Sequence, residues 1–224
     1  VFYHIGFYTK YMEKQEIRTF GRRHGKKLSA RKQYLLDNVL PAIFAKNDEK
    51  TSKFNILEIG FGAGEHVRDL AIHNPDAHII GAEPFMNGVA ALLGAMTDEK
   101  TNEILPEYQN IRIYPDDVRD FLRAGNMKFN QIWVLHPDPW PKAKHEKRRL
   151  LQTEFIKMLA SHLCDAGEII IGTDHWEYFD WIMARARESG MHMHTPDIQT
   201  IQTRYQHKNM AETAVPKYLV LTNA

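Results

Sequence analysis

Apolar and polar positions along the chain fall into two rhythms that take turns. Short apolar runs read as buried strands: "FNILEIG" (54–60), "AHIIGAE" (77–83), "NIRIYP" (110–115), "NQIWVLH" (130–136) and "GEIIIGTD" (167–174). Between them the apolar residues recur at helical spacing, in "EHVRDLAIHN" (65–74), "NGVAALLGAM" (87–96), "DDVRDFLRAG" (116–125), the stretch 150–163 and "WEYFDWIMARARESG" (176–190). The tail adds strands around 192–201 and in "PKYLVLTN" (216–223). This alternation makes about five βα units with short connections. It predicts an α/β fold with a parallel sheet covered by helices on both faces.

The N-terminal part stands outside the alternation. Residues 1–16 are aromatic-rich without a period and are expected to be disordered, with Met12 an alternative start. Residues 17–52 form a basic arm, whose second half, "SARKQYLLDNVLPAIF", predicts a helix capped by Ser29 that packs on the domain formed by 53–224.

Composition narrows the class. The chain has 224 residues, 43% hydrophobic and 25% charged, with a single cysteine, Cys164. One cysteine cannot form an internal disulfide, which favours a reducing compartment. No run approaches the ~20 apolar residues of a membrane span, and the first residues lack the layout of a signal peptide, so a cytoplasmic protein is expected. Neither an HExxH pattern nor a cysteine pair supports zinc, and no metal is expected.

Net charge is only +1, yet the windows 18–32 and 136–149 hold twelve of the 29 Lys and Arg side chains. Such concentration is the footprint of a polyanion partner, although either window alone could be a solvated surface run.

"LEIGFGAGEH" sets Gly60, Gly62 and Gly64 between a strand and a helix. Glycines there allow a tight turn and close approach of backbone to a ligand. Glu83 closes the next strand, where a carboxylate can accept both ribose hydroxyls of an adenosine-containing cofactor. A dinucleotide fingerprint would carry glycine at the sixth position, which is Glu65, and no Gly-Lys-Ser/Thr of a phosphate loop follows. Glu58, inside the strand before the turn, suits a cationic ligand such as the sulfonium of S-adenosylmethionine. Asp116 can reach an adenine edge or serve as a helix N-cap, and the two roles can coexist.

"HPDPWPKAKHEKRR" (136–149) follows the strand "NQIWVLH" and so lies over the carboxyl end of the sheet, where ligands of open parallel sheets bind. Pro137, Pro139 and Pro141 pin alternate backbone positions and preset Asp138 and Trp140. Trp140 can stack on a base or pack the loop, and packing is the stronger reading.

At these residues the chain resembles the bacterial tRNA (guanine-N7)-methyltransferase family. The likeness rests above all on "PDPWPKAKHEKRRL", supported by "RTFGRRHGKKLSARKQ", "LEIGFGAGEH", "GAEPFMNGVA", "GTDHWEYF" and "TRYQ". It implies a three-layer, doubly wound, Rossmann-like class I methyltransferase sheet, mostly parallel with an antiparallel C-terminal strand. It also implies S-adenosylmethionine as cofactor and the variable-loop guanine, position 46 of tRNA, as target, in a monomer or homodimer. By the same resemblance Glu58, Glu83, Asp116 and Asp138 bind cofactor, together with the glycine turn, and Asp138 is the catalytic acid. Lys142, Asp174 and Thr203, Arg204, Tyr205 and Gln206 match substrate-binding positions. Lys144, His145, Lys147, Arg148 and Arg149 match the RNA-contacting segment. Gln206 replaces a customary Glu, and "GAEPFMNGVA" lacks the usual His after its acid. Methylation of another RNA or a small molecule, and a non-catalytic RNA-binding shell, remain as alternatives; a nicotinamide dehydrogenase is disfavoured by Glu65.

Overall fold

The computed structural model describes residues 20–21, 23–47, 53–196 and 216–224. The expectation for residues 1–16, and the positions Thr203, Arg204, Tyr205 and Gln206, lie outside them.

Seven strands form one sheet: β1 (Asn55–Ile59), β2 (His78–Ala82), β3 (Ile111–Tyr114), β4 (Phe129–Leu135), β5 (Leu163–Thr173), β6 (His192–His194) and β7 (Lys217–Thr222). Their spatial order is β3-β2-β1-β4-β5-β7-β6. The first five are parallel, and β7 runs antiparallel between β5 and β6. The helices are α1 (Ala30–Asn38), α2 (Glu65–His73), α3 (Met86–Met96), α4 (Val118–Arg123), α5 (Thr153–Ser161) and α6 (Trp176–Ser189).

The strand period of two sorts the sheet's side chains into two cores. Leu57, Ile80, Ile132, Ile169 and Leu221 point toward α4, α5 and α6. Their neighbours Ile56, Ile79, Trp133, Ile170 and Val220 point toward α1, α2 and α3. That is why the central strands are apolar on both faces: a doubly wound sheet has no wet side. Strand order reverses at β1, whose neighbours are β2 on one side and β4 on the other. The crevice above their carboxyl ends is where such folds bind ligands.

Ser29 caps α1 by accepting from the Lys32 amide at 3.3 Å. Pro41 then turns the chain into a short 3-10 segment, Leu40–Ile43, so the apolar stretch is not one continuous helix. Leu35 and Leu36 of α1 pack with Val89, Leu92, Leu93 and Met96 of α3.

Two boundaries differ from the sequence expectation. The helix expected over 150–163 begins only at Thr153, because the Gln152 amide closes a tight turn on the Leu150 carbonyl at 2.9 Å and Leu151 is buried in the core. Strand β5 starts at Leu163 rather than 167, with a register irregularity opposite Phe129 and Ala166 at φ 57°. The turn-like "CDAG" hides this bulged extension, since the chain there satisfies neither strand alternation nor a plain turn.

Candidate active site

One cavity of about 1040 Å³ opens at the carboxyl ends of β1, β2 and β4. This is at the upper end for small-molecule sites, with room for a cofactor and a base.

The β1–α2 turn makes its floor. Gly60 has φ 74° and Gly62 φ 60°, left-handed values that L side chains rarely adopt. Gly64 is left-handed too, but it does not line the cavity: a Cβ on it would meet Leu92 at 2.5 Å, so its role is to let α2 pack on α3. A closer approach comes from Gly88 of α3, where a Cβ would stand 2.3 Å from the carbonyl oxygen of Gly62. The turn is therefore wedged against α3.

Among the described residues seven carboxylates line the space, and three of them stand on β1, at the end of β2 and on the proline loop. Glu58 is 3% exposed, and its Oε2 lies 2.9 Å from Nδ1 of the buried His66, whose ring stands edge-on to Trp133. Glu83 ends β2 and accepts from the amides of Gly62 and Phe85, both at 2.8 Å. Burial pushes the Glu83 carboxyl above the usual range; those two amides oppose the shift, and the charges of Glu58 and Asp138 add to it. Asp138 is the third, exposed on the proline loop at the cavity's edge.

Asp116 lines the wall and is not the helix cap. Asp117 caps α4 by accepting from the Arg119 amide at 3.0 Å. Asp116 instead accepts from the Asp117 amide at 2.8 Å and forms an ion pair with Arg23 of the arm. The arm crosses the mouth of the cavity with Phe20 and Gly21 in its lining. It is held to the start of α3 by the Met86 amide on the Arg23 carbonyl and by the Asn87 side chain, which accepts from the Gly25 amide and donates to the Lys26 carbonyl.

The loop after β4 is strained at both ends. His136 has φ 48° and Trp140 φ 40°, left-handed values that cost non-glycine residues about 1–3 kcal/mol each. Such cost persists only where surroundings fix it. The His136 amide donates to the Gly172 carbonyl at 2.7 Å, continuing the β4–β5 ladder. Its Nδ1 lies 3.7 Å from Oδ1 of Asp174, which follows β5.

A family model described as "Putative methyltransferase" matches residues 52–215. A tRNA (guanine-N(7)-)-methyltransferase of Caulobacter vibrioides is 32% identical, over 92% of this chain and 95% of the relative. One from Neorickettsia sennetsu is 34% identical over 88% and 87%. The chain belongs to the tRNA (guanine-N(7)-)-methyltransferase family. Among solved structures, the antibiotic-resistance methyltransferase Kmr superposes with a TM-score of 0.53 at 14% identity, covering 77% of this chain and 87% of that one. The 16S rRNA methyltransferase KamB gives 0.51 at 13% identity, covering 88% and 93%. At such identities the likeness is one of fold.

The cofactor of this methyltransferase family is S-adenosylmethionine, and the residues present fit it. The turn glycines leave the backbone bare, Glu83 keeps free lone pairs for two hydroxyls, and the carboxylates Glu58 and Glu83 make the cavity suitable for a sulfonium cation rather than a pyrophosphate.

The residues expected to contact RNA divide. Lys142 is exposed just before a 3-10 segment, Ala143–Arg148, that carries Lys144 and Lys147 in water and Lys147 at the cavity's edge. Arg148 stacks between two rings, 5.4 Å from the centre of Phe20 and 5.0 Å from that of Trp140, and so links arm to loop. Trp140 thus packs within the loop, its ring also meeting His145 edge-on at 5.8 Å. His145 is shifted below the ordinary histidine range, by desolvation first and then by the charges of Arg148, Lys144, Lys142 and Lys147. Arg149 is placed differently from the lysines. Its side chain is 4% exposed and turned into the protein, because the loop carbonyls and two aromatic faces capture it.

Sequence reasoning missed Arg23, His66, Asn87 and Gly88. His66 directly follows Glu65 at the start of α2. Its place in the first turn of the helix, facing the β1 acid, is the signal that would have found it.

Proposed function

We propose that the protein methylates N7 of the variable-loop guanine, position 46, of tRNA, acting in the cytoplasm. The observation that carries this reading is that the proline loop brings Asp138 to the cavity lined by Glu58, Glu83 and Asp116, with exposed lysines beside it. The curated relatives that carry the tRNA (guanine-N(7)-)-methyltransferase name support the same substrate.

S-adenosylmethionine, when bound, supplies an electrophilic methyl group on a sulfonium. Glu83 would hold its ribose hydroxyls, Asp116 its adenine edge, and Glu58 would favour its positive end. N7 of guanine carries a lone pair and no proton, so the site needs no general base. Its task is alignment, which in good geometry can lower the barrier by about 7–11 kcal/mol. Asp138 stands where a carboxylate can stabilise the positive charge that develops on the base, or orient the base by accepting from its N1–H and amino group. Asp174 and Lys142 would bind the substrate. Lys144 and Lys147 would grip phosphates beside the target base, which positions the RNA without reading it.

Methyl transfer to unmodified tRNA, followed by nucleoside analysis, tests this directly. 7-Methylguanosine at the variable loop is expected. A methyl group on another atom or base, or on a small molecule instead, would overturn it.

A further inference from the structure

The loop that carries Asp138 is poor in ways of holding itself. Pro137, Pro139 and Pro141 have no amide hydrogen, so three of its five positions between His136 and Lys142 donate nothing. It is left-handed at two non-glycine residues, His136 and Trp140. Rigidity beyond the fixed φ of the prolines must come from outside.

Arg149 supplies it. Its Nε donates to the Pro139 carbonyl at 2.8 Å and its Nη2 to the Trp140 carbonyl at 3.4 Å. Nη1 lies 3.5 Å from Glu146, which closes the 3-10 segment beneath. The guanidinium rests 5.3 Å from the ring centre of Tyr178 and 5.0 Å from that of Trp181, both on α6. A charge is costly to bury unless its donors are used and its faces are covered. Here the fork meets two carbonyls and a carboxylate, and the rings cover the plane.

We infer that Arg149 is a positioning residue: it braces the Pro139–Trp140 backbone from α6 and thereby holds Asp138 at the cavity, and it makes no contact with phosphate. To reach RNA it would have to leave the ring cage and strip the loop of its outside donors. The cations of the motif therefore have two jobs, with Lys144 and Lys147 facing the solvent and Arg149 facing the loop. A lysine cannot replace it, since one ammonium offers no planar fork to span successive carbonyls.

The inference rests on the methyl-transfer reading above, and the test separates the two. Arg149→Lys and Arg149→Met are compared with wild type for kcat at saturating tRNA, for tRNA Kd across a salt series, and for the NMR order parameters of the Asp138 and Trp140 amides, with a thermal melt confirming that each variant folds. Arg149→Lys keeps the cage charged should Arg149→Met fail to fold. The brace predicts a kcat lower by about 10–100-fold, as for a catalytic group misplaced by a fraction of an ångström to an ångström. It also predicts a tRNA Kd within about twofold of wild type with an unchanged salt slope, since no phosphate contact is lost, and lower order parameters at the two loop amides. A weaker Kd with a log–log salt slope shallower by about 0.7 and a normal kcat would make Arg149 a phosphate ligand and overturn the proposal. Wild-type kcat together with wild-type loop order parameters would overturn it as well. If the wild-type protein does not methylate tRNA, the functional reading fails, while the loop order parameters still decide whether Arg149 is the brace.

Discussion

Arg23 and Asp116, 93 positions apart in the chain, form an ion pair that ties the basic arm to the wall of the cofactor cavity. Asp116 was expected from its motif; its partner was not. The pair is partly open to water, with side chains 33% and 17% exposed, so its own contribution to stability is small. Its larger effect is to fix the carboxylate and keep the arm across the mouth.

Replacing Arg23 by Met should therefore leave the melting temperature nearly unchanged and weaken S-adenosylmethionine binding about two- to tenfold by calorimetry, a change of the order of one exposed ion pair or slightly more. Tighter binding in the variant would show that Arg23 competes with the cofactor for Asp116.

Glu83 predicts a pH dependence with a definite sign. Its carboxyl is raised above the ordinary 4.5, mainly by burial. A raised acid stabilises the cofactor-free fold fully below the unfolded value, and that contribution is lost as pH rises through the folded value. Cofactor binding should run the other way, because ribose hydroxyls donate to the ionised form. Affinity should climb from pH 4.5 upward and level off once Glu83 is ionised. Glu83→Gln should abolish the step and weaken binding about 10–100-fold, the loss of one or two hydrogen bonds to a charged group. An unaltered pH profile in Glu83→Gln would assign the step to another group.

Much of this site could be read without coordinates. The β1–α2 turn, Glu83 and the proline loop are local in sequence, and each follows a strand whose apolar pattern is strong, so their place at the carboxyl edge follows from topology alone. What could not be read is what depends on contact between distant segments. Arg149 and Arg148 are adjacent in a basic run, and only the packing of α6 under the loop turns one inward. Asp117 rather than Asp116 caps α4, a choice between neighbours that no pattern resolves. Gly88 looks like an ordinary small residue of an apolar helix until the Gly62 carbonyl is placed against it.

That contact gives a paired test within one helix. Gly88→Ala would set a Cβ 2.3 Å from a backbone oxygen, which cannot rotate away. The glycine turn must shift, at a cost of about 1–3 kcal/mol, and cofactor binding should weaken with it. At Gly94, also in α3, the nearest atom to a new Cβ is an Arg31 nitrogen at 3.6 Å, an ordinary contact. Gly94→Ala should instead stabilise the protein by about 0.5–1 kcal/mol through helix propensity. Denaturant unfolding of the two variants should show opposite signs; equal effects would mean that α3 slides to make room.

Lys144 and Lys147 stand in solvent, where a cation contributes mainly by releasing counterions from RNA. The double change to Met should make the log–log salt slope of tRNA binding shallower by about 1.4, two contacts at about 0.7 each. The loss should appear chiefly in kcat/KM and fade as tRNA saturates. A slope identical to wild type would mean that the RNA is gripped elsewhere, with the basic arm the first place to look.

Asp138 gives the sharpest separation of chemistry from folding. It is exposed on a loop whose backbone is held by prolines, by the β4–β5 ladder and by Arg149, so Asp138→Ala should melt like wild type. Removing a carboxylate that meets developing charge should lower kcat by about 10²–10³, the scale seen when one preorganised electrostatic contact is lost. Asp138→Asn discriminates between its two possible roles. An amide oxygen can still accept from the guanine N1–H, whereas it offers no negative charge to the methylated base. If Asn restores most of the rate, Asp138 orients the base; if Asn and Ala are equally slow, its charge is what the reaction requires.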